Sequence, residues 1–195
     1  MSRLPSVLFH SDLPEAELHA AKLDGEVYSV DRCFSPIDEI EGRLSRARSL
    51  VLSVPGRLIA EQRTAAWIHG ALHDPPLRHQ FCTDITARMR PSALVAITVR
   101  EVVIEDHDLL ELGGLRLTTP LRTVVDLARN VVDFDDDELS AIGNLMRIGR
   151  FGGAECHAVL DRRRNLPNKR LALERIEEAA RRVQSVSAGQ PPLTR

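Results

Sequence analysis

His69 and His73 stand four residues apart, the spacing with which two imidazoles on one helix face hold a zinc ion. That chemistry also needs a glutamate directly after the first histidine and a third ligand. Position 70 is Gly70, and no third ligand lies at a suitable spacing. The run Asp135-Asp136-Asp137 concentrates carboxylates, but adjacent acids on a helix point in different directions. Acids in a first helical turn are favoured by the positive end of the helix dipole, so the run reads as a helix start. Gly149-Arg-Phe-Gly-Gly153 offers free amides and an arginine to a phosphate, or is a plain loop between helices. The glycine patterns of phosphate loops and dinucleotide sites do not occur, nor does the nucleophile elbow of α/β-hydrolases. These readings assign no catalytic residue, no metal ligand and no cofactor.

The densest charge lies near the C-terminus. Asp161 to Arg195 holds nine Lys and Arg against four Asp and Glu, a local net charge of +5. Arg162, Arg163, Arg164, Lys169, Arg170, Arg175, Arg181 and Arg182 surround an amphipathic helix. Such a face can neutralise the backbone of duplex DNA or meet an acidic protein. It can equally be a solvated face balanced by Glu174, Glu177 and Glu178. No aromatic residues interleave the cations, which excludes recognition of single strands by stacking.

These groups belong to a chain of 195 residues, 43% hydrophobic and 28% charged, with a net charge of -2. That composition is globular and excludes a fibrous or wholly disordered chain. Cys33, Cys82 and Cys156 are odd in number and widely spaced, which argues against a disulfide framework and a cysteine zinc site. No apolar run approaches the roughly 20 residues that cross a bilayer, and the N-terminus lacks a signal-peptide core. A reduced, cytoplasmic protein without membrane contact is expected.

The elements that must position the charges form an α+β pattern. Asp12 is a candidate cap for a helix carrying Pro14, with Leu18 and Leu23 facing inward. Asp24-Gly25 ends that helix, and Glu26 to Phe34 reads as one short strand or a pair. This is either the remnant of a winged helix or a helix and strand packed on the main body. Ser35 and Pro36 predict a helix start, with Ile40, Leu44 and Ala47 on its apolar stripe. A second helix carries Ala65, Ala66, Trp67 and Ile68, with Gly70 at its close packing point or its end. Strands are expected within 77–85, within the β-branched run 94–104 and at 115–118. Thr119 caps a helix with Pro120 at its first position and Val124, Leu127 and Ala128 buried. Helices then follow from Asp133, from Ala154 and through Leu173, Ile176, Ala180 and Val183. The expected organisation is an N-terminal helix-and-ribbon unit with a linking helix over 1–54, an α+β domain over 55–184 and a flexible tail over 185–195.

Two segments carry a resemblance: Thr64-Ala-Ala-Trp-Ile-His-Gly-Ala71 and Gly113-Gly-Leu-Arg-Leu-Thr-Thr-Pro-Leu-Arg-Thr-Val-Val-Asp-Leu-Ala-Arg129. In this order, with Glu105-Asp-His-Asp between them, they resemble the AbiEi-like antitoxins and transcriptional regulators of actinobacteria. The resemblance implies an N-terminal winged helix joined to a C-terminal α/β domain. It also implies a nucleotidyltransferase toxin as partner and binding to promoter DNA. Here Leu13 to Pro36 matches only a recognition helix and wing, and Lys22 stands among Glu15, Glu17, Asp24 and Glu26. Trp67, Gly70, Thr119, Pro120, Arg122 and Asp126 are the motif residues, and each has a structural reading. Arg122 and Asp126 sit at i, i+4 and can bridge. In a related architecture a repair-type nuclease follows the same region. The chain ends at Arg195 without it, so the expected function is regulatory binding, with or without DNA, in preference to metal-dependent nuclease activity.

Overall fold

Proline 14 presets the backbone at the entry to the first helix, α1 (Glu15–Leu23), and Glu15 and Glu17 lie in its positive first turn. The computed structural model describes residues 4–85, 97–162 and 166–188. Asp12 does not cap α1. Its carboxylate accepts from the Phe9 amide at 2.8 Å and closes the preceding turn. Leu18 is buried, but Leu23, the last residue of the helix, is 89% exposed. Gly25, in the left-handed region, reverses the chain into an antiparallel hairpin, β1 (Val27–Val30) and β2 (Cys33–Pro36). Leu8 bridges Phe34, and Leu8, Leu18, Val27 and Phe34 close a small core.

The helix expected from Pro36 begins later. Ser35 pairs with Tyr28 and Pro36 with Val27 in the hairpin ladder. Proline is tolerated at a strand end, and here strand pairing outcompetes the local capping signal. The helix α2 (Arg43–Val51) starts after Gly42, whose amide donates to Ser45 Oγ at 2.9 Å. Ile40 is therefore exposed, and of the expected stripe only Ala47 is buried.

The main sheet has strands β3 (Ile59–Ala60), β4 (His79–Asp84), β5 (Ile97–Val102), β6 (Leu109–Leu112) and β7 (Leu115–Thr118), in the order β5-β4-β3-β7-β6. The two-residue β3 runs parallel to β7 and antiparallel to β4, while β4 and β5 are parallel. Positions 94–96 of the β-branched run lie outside the described residues. Gly113 and Gly114, both at positive φ, turn β6 into β7.

Helices follow the parallel pair at one end of the sheet: α3 (Gln62–His69) after β3 and α4 (Pro120–Asn130) after β7. Then come α5 (Asp136–Gly149), α6 (Gly153–Arg162) and α7 (Lys169–Ala188). Val124, Leu127 and Ala128 of α4 are buried as the pattern predicts, and so is Val125. They pack with Ile142 and Leu145 of α5, Cys156 and Leu160 of α6, and Ile176 of α7. Among the described side chains of α7, Ala172, Ile176 and Ala179 are fully buried, so its stripe is centred one residue earlier than the apolar spacing suggested. The helix also continues past Ser185 to Ala188, into the segment read as tail. Residues 189–195 lie outside the described residues.

Trp67 and Ile68 fill a second core between α3 and the sheet, with Phe81 and Leu117, and Val30 of the hairpin and Leu50 of α2 enter the same cluster. Gly70 ends α3 at φ 85°. A Cβ there would meet nothing within 4 Å, so the cost of alanine is backbone strain alone. Gly70→Ala should lower the unfolding free energy by about 1–2 kcal/mol in urea titrations, without a change in m.

Candidate functional site

Four of the motif residues, Thr119, Pro120, Arg122 and Asp126, gather at the start of α4, while Trp67 lies in the core beneath α3 and Gly70 ends that helix. Thr119 caps α4, its Oγ1 accepting from the Arg122 amide at 3.3 Å, and Pro120 takes the first helical position. This start aims Arg122 inward. Its Nε donates to Asp126 Oδ2 at 2.8 Å and its Nη1 to Asp108 Oδ2 at 2.5 Å, with the Val103 carbonyl at 3.4–3.5 Å. Arg122, Asp126 and Asp108 are 4%, 2% and 4% exposed. Burial alone would lower the Arg122 guanidinium, but Asp126 and Asp108 outweigh it and hold it above its ordinary value. Asp108 comes from a 3₁₀ turn (Asp106–Asp108), and its carbonyl accepts from the Thr119 amide at 2.8 Å. The turn is thus fastened to α4 through both backbone and side chain.

A second ion pair lies beside the first. Glu61, fully buried at the cap of α3, receives Arg100 of β5 in a two-pronged contact, Nε at 2.7 Å and Nη2 at 2.6 Å. Gln62 at φ 47° donates to the same carboxylate. Burial would lower Arg100, and the hydrogen bonds and charge of Glu61 hold it up, with Asp126 adding to the effect. Asp126 therefore acts on both guanidinium groups. Cys82, on the strand next to β5, is buried beside Glu61, and its thiol is pushed well above the ordinary range, burial being the largest cause.

His69 and His73 do not converge. His69 is buried, with Nε2 2.8 Å from the Thr118 carbonyl and Nδ1 3.1 Å from Arg43 Nη2. A carbonyl only accepts and a guanidinium only donates, so Nε2 carries the proton and the ring is neutral. Burial lowers its pKa to about 4; the bond to Thr118 opposes the shift and Arg43 adds to it. His73 is solvent-facing, 4.0 Å from Asp74. Asp135 to Asp137 form the expected helix start. Asp135 Oδ1 caps α5 by accepting from the Asp137 and Glu138 amides, and buried Glu138 pairs with Arg63. Among the described residues, no group of three His, Cys, Asp or Glu side chains is arranged to hold a metal ion.

The C-terminal cations divide. Arg175 turns inward: Nη1 donates to the Ala128 and Val131 carbonyls, both at 2.9 Å, and the guanidinium lies 4.0 Å over the Phe134 ring. It closes the end of α4. Lys169 pairs with Asp161 at 2.8 Å. Arg181 and Arg182 both reach Glu178, and Arg182 also reaches Asp136 at 2.9 Å. Arg170 is 94% exposed, 3.7 Å from Glu174, and Arg162 is exposed. Arg163 and Arg164 lie outside the described residues.

Residues 1–42 contain nine acidic residues against three basic ones, a net charge of -6, and the remaining chain carries +4. Glu15, Glu17 and Lys22 are exposed on α1. The hairpin tip, where a wing would reach outward, is tied to the body: Asp31 Oδ1 lies 3.3 Å from His79 Nε2 of β4. Sequence reasoning placed the Arg122–Asp126 pair but missed Asp108, Glu61 and Arg100. Glu61 directly precedes α3, where an acid favours a helix start, and that is the one local signal it offered.

Residues 58–182 match the sequence pattern of a family described as the AbiEi antitoxin C-terminal domain. Among solved structures, the RV2827C protein from Mycobacterium tuberculosis shares the fold, with a TM-score of 0.50 and 17% identity over 97% of this chain and 78% of that one. No curated protein matches the chain.

Proposed function

The chain belongs to the AbiEi antitoxin C-terminal domain family, and from that premise we propose that it is an antitoxin-like regulator acting by binding a protein, a nucleotidyltransferase toxin. The observation that carries this reading is the charge partition. Residues 1–42, which hold the helix and hairpin that stand in the places of a recognition helix and wing, carry a net charge of -6, which repels phosphate and suits a basic protein. The buried ion pairs support it differently: the carboxylates of Asp108, Asp126 and Glu61 are each held by a guanidinium, which builds a rigid body for presenting a surface.

The test uses a nucleotidyltransferase encoded beside the gene. Co-expression should relieve growth inhibition by that enzyme, and the two proteins should co-elute in size-exclusion chromatography. Growth inhibition unchanged by co-expression, with separate elution, would overturn the reading. Binding to duplex DNA is the second reading, favoured by exposed Arg162 and Arg170 and by the sequence run Arg162-Arg163-Arg164. It requires an affinity that falls steeply with salt, and absence of binding at about 50 mM salt would remove it.

A further inference from the structure

Two short stretches of the N-terminal unit break local rules at the same place. Leu23, Ile37 and Ile40 are large aliphatic side chains, yet they are 89%, 64% and 91% exposed. Asp24 is the C-terminal cap of α1, where a carboxylate meets the negative end of the helix dipole. The backbone holds the two stretches together. The Glu26 carbonyl accepts from the Ile37 amide at 2.9 Å, and the Pro36 carbonyl accepts from the Glu39 amide at 3.0 Å, closing a turn. Tyr28 Oη donates to the Glu39 carbonyl at 3.0 Å, which ties that turn to β1. The end of α1 and the chain leaving β2 therefore meet at the open end of the hairpin. Positions 23–26 and 37–41 hold five acidic residues and no basic one. Glu41 pairs with Arg46 at 2.7 Å, but the carboxylates of Asp24, Glu26 and Asp38 meet no cation and no donor among the described residues. Lys22 donates to Ser29 Oγ at 2.7 Å, and Arg32 stands at the other end of the hairpin, where the strands turn.

We propose that Leu23, Ile37 and Ile40, bordered by Asp24, Glu26 and Asp38, form the surface that receives the protein partner, and that the partner offers it a segment with an aliphatic stripe edged by Lys or Arg. The inference rests on the reading of the chain as a binder of a basic protein, and it names where that protein docks. Single exposed aliphatic residues are ordinary, whereas an apolar group rimmed by charge is the anatomy of a protein interface. Unpaired carboxylates around an apolar centre repel phosphate and acidic proteins, and they steer a basic segment into place. A partner cation beside Asp24 would also face the last carbonyls of α1, so it relieves the like-charge contact that the free chain carries. These six side chains are exposed and fill no core, so the fold gains little from them. Their loss is expected in binding and not in stability.

Calorimetric titration of the full chain with the nucleotidyltransferase encoded beside the gene, at about 50 mM salt, tests the surface. Two double variants separate its parts: Leu23→Ser with Ile40→Ser, and Asp24→Lys with Asp38→Lys. Each should weaken binding at least about tenfold. Glu101→Lys, exposed on the edge strand β5, should leave it unchanged. Urea midpoints of both double variants should equal or exceed that of the parent chain. Enzyme binding indifferent to either double variant would overturn the surface and leave the antitoxin-like reading standing. Lost binding accompanied by a lowered urea midpoint would assign these residues to the fold and overturn the surface too. An enzyme that does not bind at all removes the antitoxin-like reading, and a fluorescent peptide then decides the surface. The peptide spans about four helical turns, with leucines at helical spacing and lysines between them. It should bind with Kd below about 100 μM, its counterpart with glutamate for lysine should not bind, and both double variants should release it. A lysine peptide that does not bind, or that either double variant still holds, would overturn the surface as well.

Discussion

Arg122→Ala is expected to destabilise the protein by about 3–5 kcal/mol, the range for removing one partner of a buried ion pair. The reason is what remains. Asp108 and Asp126 would keep their carboxylates at 4% and 2% exposure without the guanidinium that both now receive. A loss of that size is a large fraction of the roughly 5–15 kcal/mol that holds a domain folded. Arg122→Lys keeps the charge but cannot fork between two carboxylates on opposite sides, so its loss should be smaller yet clear. Arg122→Met combined with Asp126→Leu should recover part of the loss, because one stranded charge goes with its partner. Urea denaturation of the three variants checks the order. A loss under about 1 kcal/mol for Arg122→Ala would show that the network is not what fastens the 3₁₀ turn to α4.

Acid should weaken the fold through His69. In the folded chain this imidazole stays neutral down to about pH 4, whereas in the unfolded chain it takes up a proton below about pH 6.5. Between those values the unfolded state binds a proton that the folded state refuses. Stability therefore falls as the pH drops through this window, by about 3 kcal/mol at its lower end. The protonated ring would also face Arg43, with no second acceptor for its new N–H. His69→Gln retains a donor toward Thr118 but does not titrate. Its unfolding free energy should be lower at pH 7, by about 1–2 kcal/mol, and flatter between pH 7 and 4.5. Equal slopes for the two proteins would assign the acid sensitivity to other groups.

What the sequence disclosed depends on how far apart the partners lie. Thr119, Pro120, Arg122 and Asp126 form their contacts within eight residues, and their cap, helix start and ion pair are all legible from spacing. The same holds for the Asp135 cap, whose partners are two and three residues away. Glu61 meets Arg100 across 39 positions and Arg122 meets Asp108 across 14, and no periodicity encodes either contact. Ser35-Pro36 failed for a related reason: the signal for a helix was real, but the hairpin partner Val27-Tyr28 claimed those residues first. Arg175 looked like a surface cation because its acceptors, the Ala128 and Val131 carbonyls, belong to the end of another helix.

The central strand is only two residues long, and it ties the order of synthesis to the order of assembly. Ala60 pairs with Leu117, which the ribosome adds 57 residues later. At about 5–20 residues per second that interval lasts about 3–11 s. During it β3 has no parallel neighbour, and α3 waits without α4. Trp67 and Ile68 are then on a nascent helix whose cover has not been made. The protein thus passes through a stage in which a helix that ends almost wholly buried is displayed to whatever else binds apolar segments at the exit tunnel. A pause in translation before Leu117 lengthens that exposure, while a pause after α4 does not.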